Sequence, residues 1–321
     1  MRDQVFPCTT LTEHHHDLLM SRIAEERQVL GPVPAGAGRW RIAPLASAQS
    51  GRAVIPRIPL KKYLIPHQET LWDFQDGRYR QAEGAPMLVV LGVALCDLQA
   101  LWYLDRAFAE DAPYRQRRQR LLVVGADCEP GSDCRCEKDR LPVAGDLFLD
   151  GNKAWALSDL GLALLASVTG TPRQEASLPW PEHRQQSQSI GAAEFAHHRD
   201  ATLWAVEGRR CLSCGACSAV CPTCTCFDLV DVASLAETVS RQRVWDNCFF
   251  AEHGQIAGGF DFRPDRAARL RFRFEHKRLG FGDLRGLDSC VGCGRCRSAC
   301  PVDIDLDQIA AQLVAEEPDA G

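Results

Sequence analysis

Two copies of one cysteine pattern near the carboxyl end constrain this chain more than any other feature. The cysteines of the two copies are Cys211, Cys214, Cys217 and Cys221, then Cys290, Cys293, Cys296 and Cys300. Each copy ends in proline and fits C-x2-C-x2-C-x3-C-P, a spacing that holds a [4Fe–4S] cluster. Three cysteines spaced three residues apart can wrap one side of a compact cluster, and Gly215, Gly292 and Gly294 allow the tight turns this needs. The doubled motif therefore predicts two [4Fe–4S] clusters.

The fourth cysteine of each copy is expected to bind the cluster of the other copy, as it does in two-cluster ferredoxins. The first cluster is predicted to take Cys211, Cys214, Cys217 and Cys300. The second is predicted to take Cys290, Cys293, Cys296 and Cys221.

Zinc and disulfides are the alternatives for these eight cysteines. Structural zinc sites usually use two separated C-x2-C pairs rather than four closely spaced cysteines followed by proline. Disulfides need a secreted chain, and the opening Met1-Arg2-Asp3-Gln4 is not followed by the apolar segment of a signal peptide. We therefore expect iron–sulfur clusters in a cytoplasmic protein.

The composition sets the size and the general class of the protein. A chain of 321 residues with 45% hydrophobic and 25% charged residues is typical of two globular domains. The longest apolar run, residues 87–96, is too short to span a bilayer. A net charge of −5 without a recognition module gives no indication of nucleic-acid binding.

The pattern of apolar runs predicts an α/β amino-terminal domain followed by an α-helical two-cluster ferredoxin-like domain. Buried-strand runs at 87–93 and 121–124 flank a helical pattern at 97–109, which predicts a parallel strand pair in a domain over residues 1–170. A further helix is predicted over residues 10–30, capped by Thr12 and ended by Gly31-Pro32. Residues 171–191 are rich in Pro, Gln and Ser and indicate a linker. The second domain, 192–321, contains a long insertion between its two motifs.

Four further cysteines lie in a cysteine-rich loop, or at strand ends, of the α/β domain: Cys96, Cys128, Cys134 and Cys136. If the two strands that precede Cys96 and Cys128 are neighbours, their carboxyl ends converge where α/β sheets bind ligands. These thiols could hold a third [4Fe–4S] cluster or a zinc ion. The alternative is that they are reduced, buried cysteines without a ligand.

The remaining features have weaker interpretations. Cys224 and Cys226 directly follow the first motif, and either could line the cluster or replace one of its ligands, although packing around the ligands is favoured. Cys8 and Cys248 have no identifiable partner in the sequence. The basic stretch 263–278 fits either a short strand or a helix. It could be a solvated face or a source of positive charge beside the clusters.

The residues around the first motif, from Gly208 through Cys211 to Cys226, resemble the beta subunit of soluble sulfhydrogenase-type [NiFe] hydrogenases. They resemble equally the A subunit of the anaerobic sulfite reductase complex. The Trp245-Asp246-Asn247-Cys248 string, the His276-Lys277 pair and the second motif agree with the same pattern. The similarity extends from about residue 57 to the end, and it is most specific around the motifs.

This resemblance implies an iron–sulfur electron-transfer subunit. Its implied partners are a flavin subunit of the diaphorase type, which binds NAD(P)H, and a [NiFe] hydrogenase small and large subunit pair or sulfite reductase subunits. The chain has no G-x-G-x-x-G fingerprint and no constellation of catalytic residues, so we expect the chemistry to occur in the partners. Two alternatives remain: a free-standing iron–sulfur oxidoreductase, and a structural adaptor in which the clusters only stabilise the fold.

Overall fold

The computed structural model describes residues 4–48, 51–81, 84–181, 190–198, 202–234 and 238–315. The strands are β1 (Val5–Thr10), β2 (Gln28–Pro34), β3 (Trp40–Pro44), β4 (Gln68–Gln75), β5 (Arg78–Gln81), β6 (Leu88–Val93), β7 (Leu121–Ala126), β8 (Leu147–Asp150), β9 (Lys153–Ala156), β10 (Gln174–Ser177), β11 (Phe227–Ala233) and β12 (Val239–Trp245). The helices are α1 (Glu13–Ala24), α2 (Leu95–Ala107), α3 (Ala112–Gln119), α4 (Asp159–Thr169), α5 (Ala192–His197), α6 (Thr202–Arg210), α7 (Ala216–Ala219), α8 (Arg266–Leu279), α9 (Arg295–Ala299) and α10 (Leu306–Ala315).

The amino-terminal part is built on an eight-stranded sheet in the order β10-β1-β9-β8-β7-β6-β2-β3. Its centre is parallel, because β6 pairs with β2 and with β7, and β7 pairs with β8. Side chains of β6 alternate between two buried clusters, with Leu88 and Val90 on one face and Val89 and Leu91 on the other. A strand that is covered on both faces reads as a continuous apolar run. The predicted α/β domain with a parallel pair around α2 is confirmed.

The prediction of one helix over residues 10–30 is wrong beyond its first half. The Thr12 side chain accepts a hydrogen bond from the backbone of His15, as an N-cap does, but the helix ends at Ala24. Gly31 and Pro32 lie inside β2. Pro32 is tolerated there because the stretch of β2 around it pairs only with β3.

The α-helical character predicted for the second domain is not confirmed, since its insertion begins with a hairpin of β11 and β12. Strand β12 pairs in turn with β4, which gives a four-stranded antiparallel sheet in the order β11-β12-β4-β5. Arg243 of β12 is buried and forms ion pairs with Glu69 of β4 and with Asp111. Chain segments from both predicted domains therefore share one sheet.

Helices α6, α8 and α10 pack around a second core that contains Trp204, Phe274 and Leu313. The basic stretch 263–278 forms α8 rather than a strand, with Asp265 as its N-cap. The predicted domain boundaries stay a prediction; in the predicted linker, β10 pairs with β1, and residues 182–189 lie outside the described residues. None of the helices that the structure describes is long and apolar enough to cross a membrane.

Candidate metal centre

The first motif forms one wall of a cavity that is lined by cysteines. Helix α7 begins after Gly215, whose positive φ of 73° lets the loop turn and whose carbonyl accepts a hydrogen bond of 2.8 Å from the Asn247 side chain. The cavity is lined by Cys211, Cys214, Cys217, Cys296, Cys300 and Pro301, together with apolar side chains that include Phe249 and Leu270. The set predicted for the first cluster, including Cys300 from the second motif, thus surrounds one space. Four of the five cysteines that line this cavity are the predicted set, and their thiols fit a [4Fe–4S] cluster in donor type and number. The fifth, Cys296, is predicted to bind the other cluster.

The second predicted set also comes together. Cys296 interacts electrostatically with the other three members, Cys290, Cys293 and Cys221. Burial raises the pKa of the Cys293 thiol to about 11. At Cys221 burial acts in the same direction, but the Lys277 and Arg273 cations outweigh it and lower the pKa to about 7. The crossed ligand sets stay a prediction, which this placement supports.

Buried cations of α8 lie between the cysteine groups. Arg273, 3% exposed, donates to the Cys217 carbonyl at 3.0 Å and to Ser218 Oγ at 2.9 Å. Lys277 donates to the Thr223 carbonyl and hydroxyl, each at 2.9 Å. The solvated-face interpretation of this basic stretch is therefore wrong for these two residues. A buried cation is stable only beside negative charge, and a thiolate-bound iron–sulfur cluster supplies it.

The four cysteines of the α/β domain also converge. Cys96 lies in the first turn of α2 after β6, Cys128 follows β7, and Cys134 and Cys136 come from the next loop with their sulfurs 3.4 Å apart. Cys136 interacts with each of the other three, and all four are buried. Burial raises the pKa of Cys128 to about 11, whereas a hydrogen bond from Cys136 lowers that of Cys134 to about 7.

The role of these four cysteines as metal ligands stays a prediction. Across the described residues, no three Cys, His, Asp or Glu side chains form a ready-made site for a single ion.

The second motif packs directly against the loop that carries Cys134 and Cys136. The Arg135 amide donates to the Gly292 carbonyl at 2.6 Å, and a Cβ on Gly294 would lie 2.5 Å from the Asp133 carbonyl oxygen. Only glycine allows this approach, and both glycines have a positive φ. Across the same contact, Cys293 interacts electrostatically with Cys96.

An ion pair locks this contact. Arg295 in the second motif donates to both carboxylate oxygens of Asp97, at 2.9 and 2.6 Å, and to the Pro56 carbonyl at 2.9 Å. Both charged side chains are 3% exposed. The three cysteine groups therefore form an ordered series, from the exposed Cys214 through the second motif to the α/β domain.

Three further cysteines lie together where the sequence indicated no group. Cys226 lines one cavity with Cys224, and it packs against the core that contains Cys248. Its carbonyl accepts a hydrogen bond of 3.3 Å from the amide of Asp246, two residues before Cys248. A hydrogen bond from Cys226 lowers the pKa of Cys248 to about 7. The statement that Cys248 has no partner is therefore wrong. The β11–β12 hairpin separates Cys226 from Cys248 and returns the chain to its starting point, so no short spacing in the sequence signals the contact.

Comparisons with known proteins agree with this arrangement. The model of the 4Fe-4S dicluster domain family matches residues 210–304. Over 287 residues the chain is 29% identical to Sulfhydrogenase 2 subunit beta of Pyrococcus furiosus. The aligned region covers 80% of this chain and 84% of that protein. The predicted resemblance to the sulfhydrogenase beta subunit is confirmed. No solved structure gives a significant match.

Proposed function

We propose that this chain is the iron–sulfur electron-transfer subunit of a soluble [NiFe] hydrogenase complex. In that role it relays electrons between a flavin subunit that binds NAD(P)H and the hydrogenase catalytic subunits. The observation that carries the proposal is the series of three cysteine groups in which each group contacts the next. The similarity to a protein named as a sulfhydrogenase beta subunit supports the choice of partner.

The protein contributes ligands, charge and exclusion of water to this role. A [4Fe–4S] cluster accepts and releases one electron at a time, and its potential depends on net charge, hydrogen bonds and solvent exposure. Arg273 and Lys277 place positive charge beside the first two groups and favour their reduced, more negative state. Apolar residues such as Phe249 and Ile304 line the first cavity.

The two ends of the series differ in exposure. Cys214 of the first group is exposed, whereas Cys96, Cys128, Cys134 and Cys136 are all buried. We place a redox partner against the surface around Cys214, because electrons leave most readily where a ligand reaches the surface. We also propose that the four cysteines of the α/β domain hold a third [4Fe–4S] cluster, since the second motif lies directly against them.

The relay is tested in the complex purified anaerobically through this chain. Cys293→Ser should abolish NAD(P)H-linked activity, while the activity of the catalytic subunit with an artificial dye survives because the dye bypasses the relay. Cys8→Ser, at a buried cysteine of β1 far from the motifs in sequence, serves as the control and should retain both activities.

Two outcomes would change the proposal. Turnover of NAD(P)H with a physiological substrate by the isolated chain would overturn it in favour of a free-standing oxidoreductase. Mass spectrometry of the purified complex identifies its other subunits, and sulfite reductase subunits in place of [NiFe] hydrogenase subunits would transfer the relay to that enzyme.

A further inference from the structure

Cys224, Cys226 and Cys248 form a sulfur cluster that belongs to none of the three groups above. Cys226 lies in the middle, because it lines one cavity with Cys224 and packs against the core that contains Cys248. Cys224 and Cys248 are buried, and the Cys248 sulfur lies 3.9 Å from Ser218 Oγ at the base of the first motif. Three thiols packed together are either precursors of a disulfide or soft ligands for a thiophilic metal.

A buried lysine marks this cluster as a place for negative charge. Lys61 is 5% exposed, and its ammonium group donates at 3.3 Å to the Cys224 carbonyl and lies 4.4 Å from the centre of the Trp245 ring. Within the described residues, no carboxylate forms an ion pair with it. A buried ammonium group without a counter-charge is costly, so the nearby sulfur atoms are expected to carry that charge.

A cavity of about 210 Å³ adjoins two of the three thiols. Lys61, Cys224 and Cys226 line it together with Asp246 and Cys214. This volume is larger than the cavity volume of about 10–15 Å³ that a single water molecule needs. A metal bound by the three sulfurs would therefore have room for a further ligand on this side.

We propose that Cys224, Cys226 and Cys248 bind one thiophilic divalent metal ion, zinc or ferrous iron, separate from the iron–sulfur clusters. Binding displaces the three thiol protons, which go to solvent. Three thiolates and one divalent ion leave a net charge of −1, and the Lys61 ammonium neutralises it. Metal sites that bind water or a small molecule usually have three protein ligands and a fourth position open to a cavity, and this site would have the same arrangement.

The thiols need a small rearrangement to bind the ion. Among the described residues, they do not yet surround a common point as the ligands of a single ion would. Rotation of a cysteine side chain between its staggered rotamers moves its sulfur without moving the backbone.

The test counts metals in the anaerobically purified full-length chain and in two variants, with cluster EPR signals recorded in parallel. Cys226→Ala should lose one metal ion per chain and keep the cluster signals, whereas Cys8→Ala should lose none. Zinc is identified if the zinc content falls by one, and iron if a high-spin ferrous Mössbauer doublet disappears. Lys61→Met should keep the ion but release it several-fold faster to a chelator, because the counter-charge is gone.

Two results would overturn the proposal: an unchanged metal content in Cys226→Ala, or a native disulfide between Cys226 and Cys248. If Cys226→Ala loses four iron atoms together with a cluster signal, Cys248→Ser decides, and the same loss in that variant would overturn the proposal. The proposal is independent of the relay, because the cluster signals are scored separately from the additional ion.

Discussion

The ion pair between Arg295 and Asp97 is the contact whose loss should be most damaging to the series of cysteine groups. It joins the second motif to the turn that carries Cys96, and both side chains are almost fully buried. In Asp97→Ala the guanidinium remains buried without a counter-charge. Removal of one partner of a buried pair costs about 3–5 kcal/mol.

This cost converts into a measurable shift in denaturant. With an m-value of about 3 kcal/mol per molar urea, the unfolding midpoint should fall by about 1–1.7 M. The double variant Asp97→Leu with Arg295→Met should recover most of this loss, because two apolar side chains of similar volume replace a buried pair at little cost. The midpoint is followed anaerobically by tryptophan fluorescence and by the visible absorbance of the clusters.

The matched control is the pair between Asp231 and Arg241 in the β11–β12 hairpin. It has the same two-bond geometry, at 2.8 and 2.7 Å, but it is exposed to solvent. Asp231→Ala should therefore barely move the midpoint, because water and salt screen an exposed pair. The reasoning is refuted if Asp97→Ala behaves like this control, or if the double variant is no more stable than Asp97→Ala.

Gly292→Ala should detach the second motif from the Cys134 loop and lower the iron content. Gly286→Ala is the control, because Gly286 also has a positive φ but has open space around it, so this variant should show only backbone strain of about 1–2 kcal/mol. Equal iron contents in the two variants would contradict this prediction. Burial and the neighbouring Lys277 and Arg263 cations lower the pKa of His276 to about 4.

Between about pH 6.5 and pH 4, His276 binds a proton in the unfolded chain but not in the folded one. The free energy of unfolding should therefore fall as the pH falls through this window. His276→Gln should remove that component of the urea midpoint, and identical pH profiles would refute it. Cys134→Ser should remove one cluster's iron from the full-length chain while the two motif clusters remain; an unchanged iron content would show that these four cysteines hold no iron–sulfur cluster.

Much of the candidate site could be predicted because its geometry is local or follows from sheet topology. The motif spacing indicates which cysteines share a loop, and the strands before Cys96 and Cys128 are neighbours whose carboxyl ends must converge. Because β6 is buried on both faces, its sequence is a continuous apolar run, which predicts a strand. These inferences need no knowledge of distant contacts.

The rest depends on pairing between distant segments. Strand β11 carries exposed apolar and charged residues, and β12 pairs with a strand that precedes it by more than a hundred residues, so neither has a local signal. Gly31-Pro32 is a strong helix-end signal, yet pairing of β2 with β3 overrides it. The contact of Cys248 with Cys226 was invisible for the same reason, since the hairpin creates it.

The most direct test of the central claim is the iron, sulfide and zinc content of the anaerobically purified chain, combined with EPR of its reduced form. We predict about eight iron atoms from the two motifs, about four more from the α/β domain, and [4Fe–4S] signals broadened by spin coupling between adjacent clusters. Stoichiometric zinc without iron, or clusters that show no magnetic interaction, would contradict a continuous series of iron–sulfur centres through this protein.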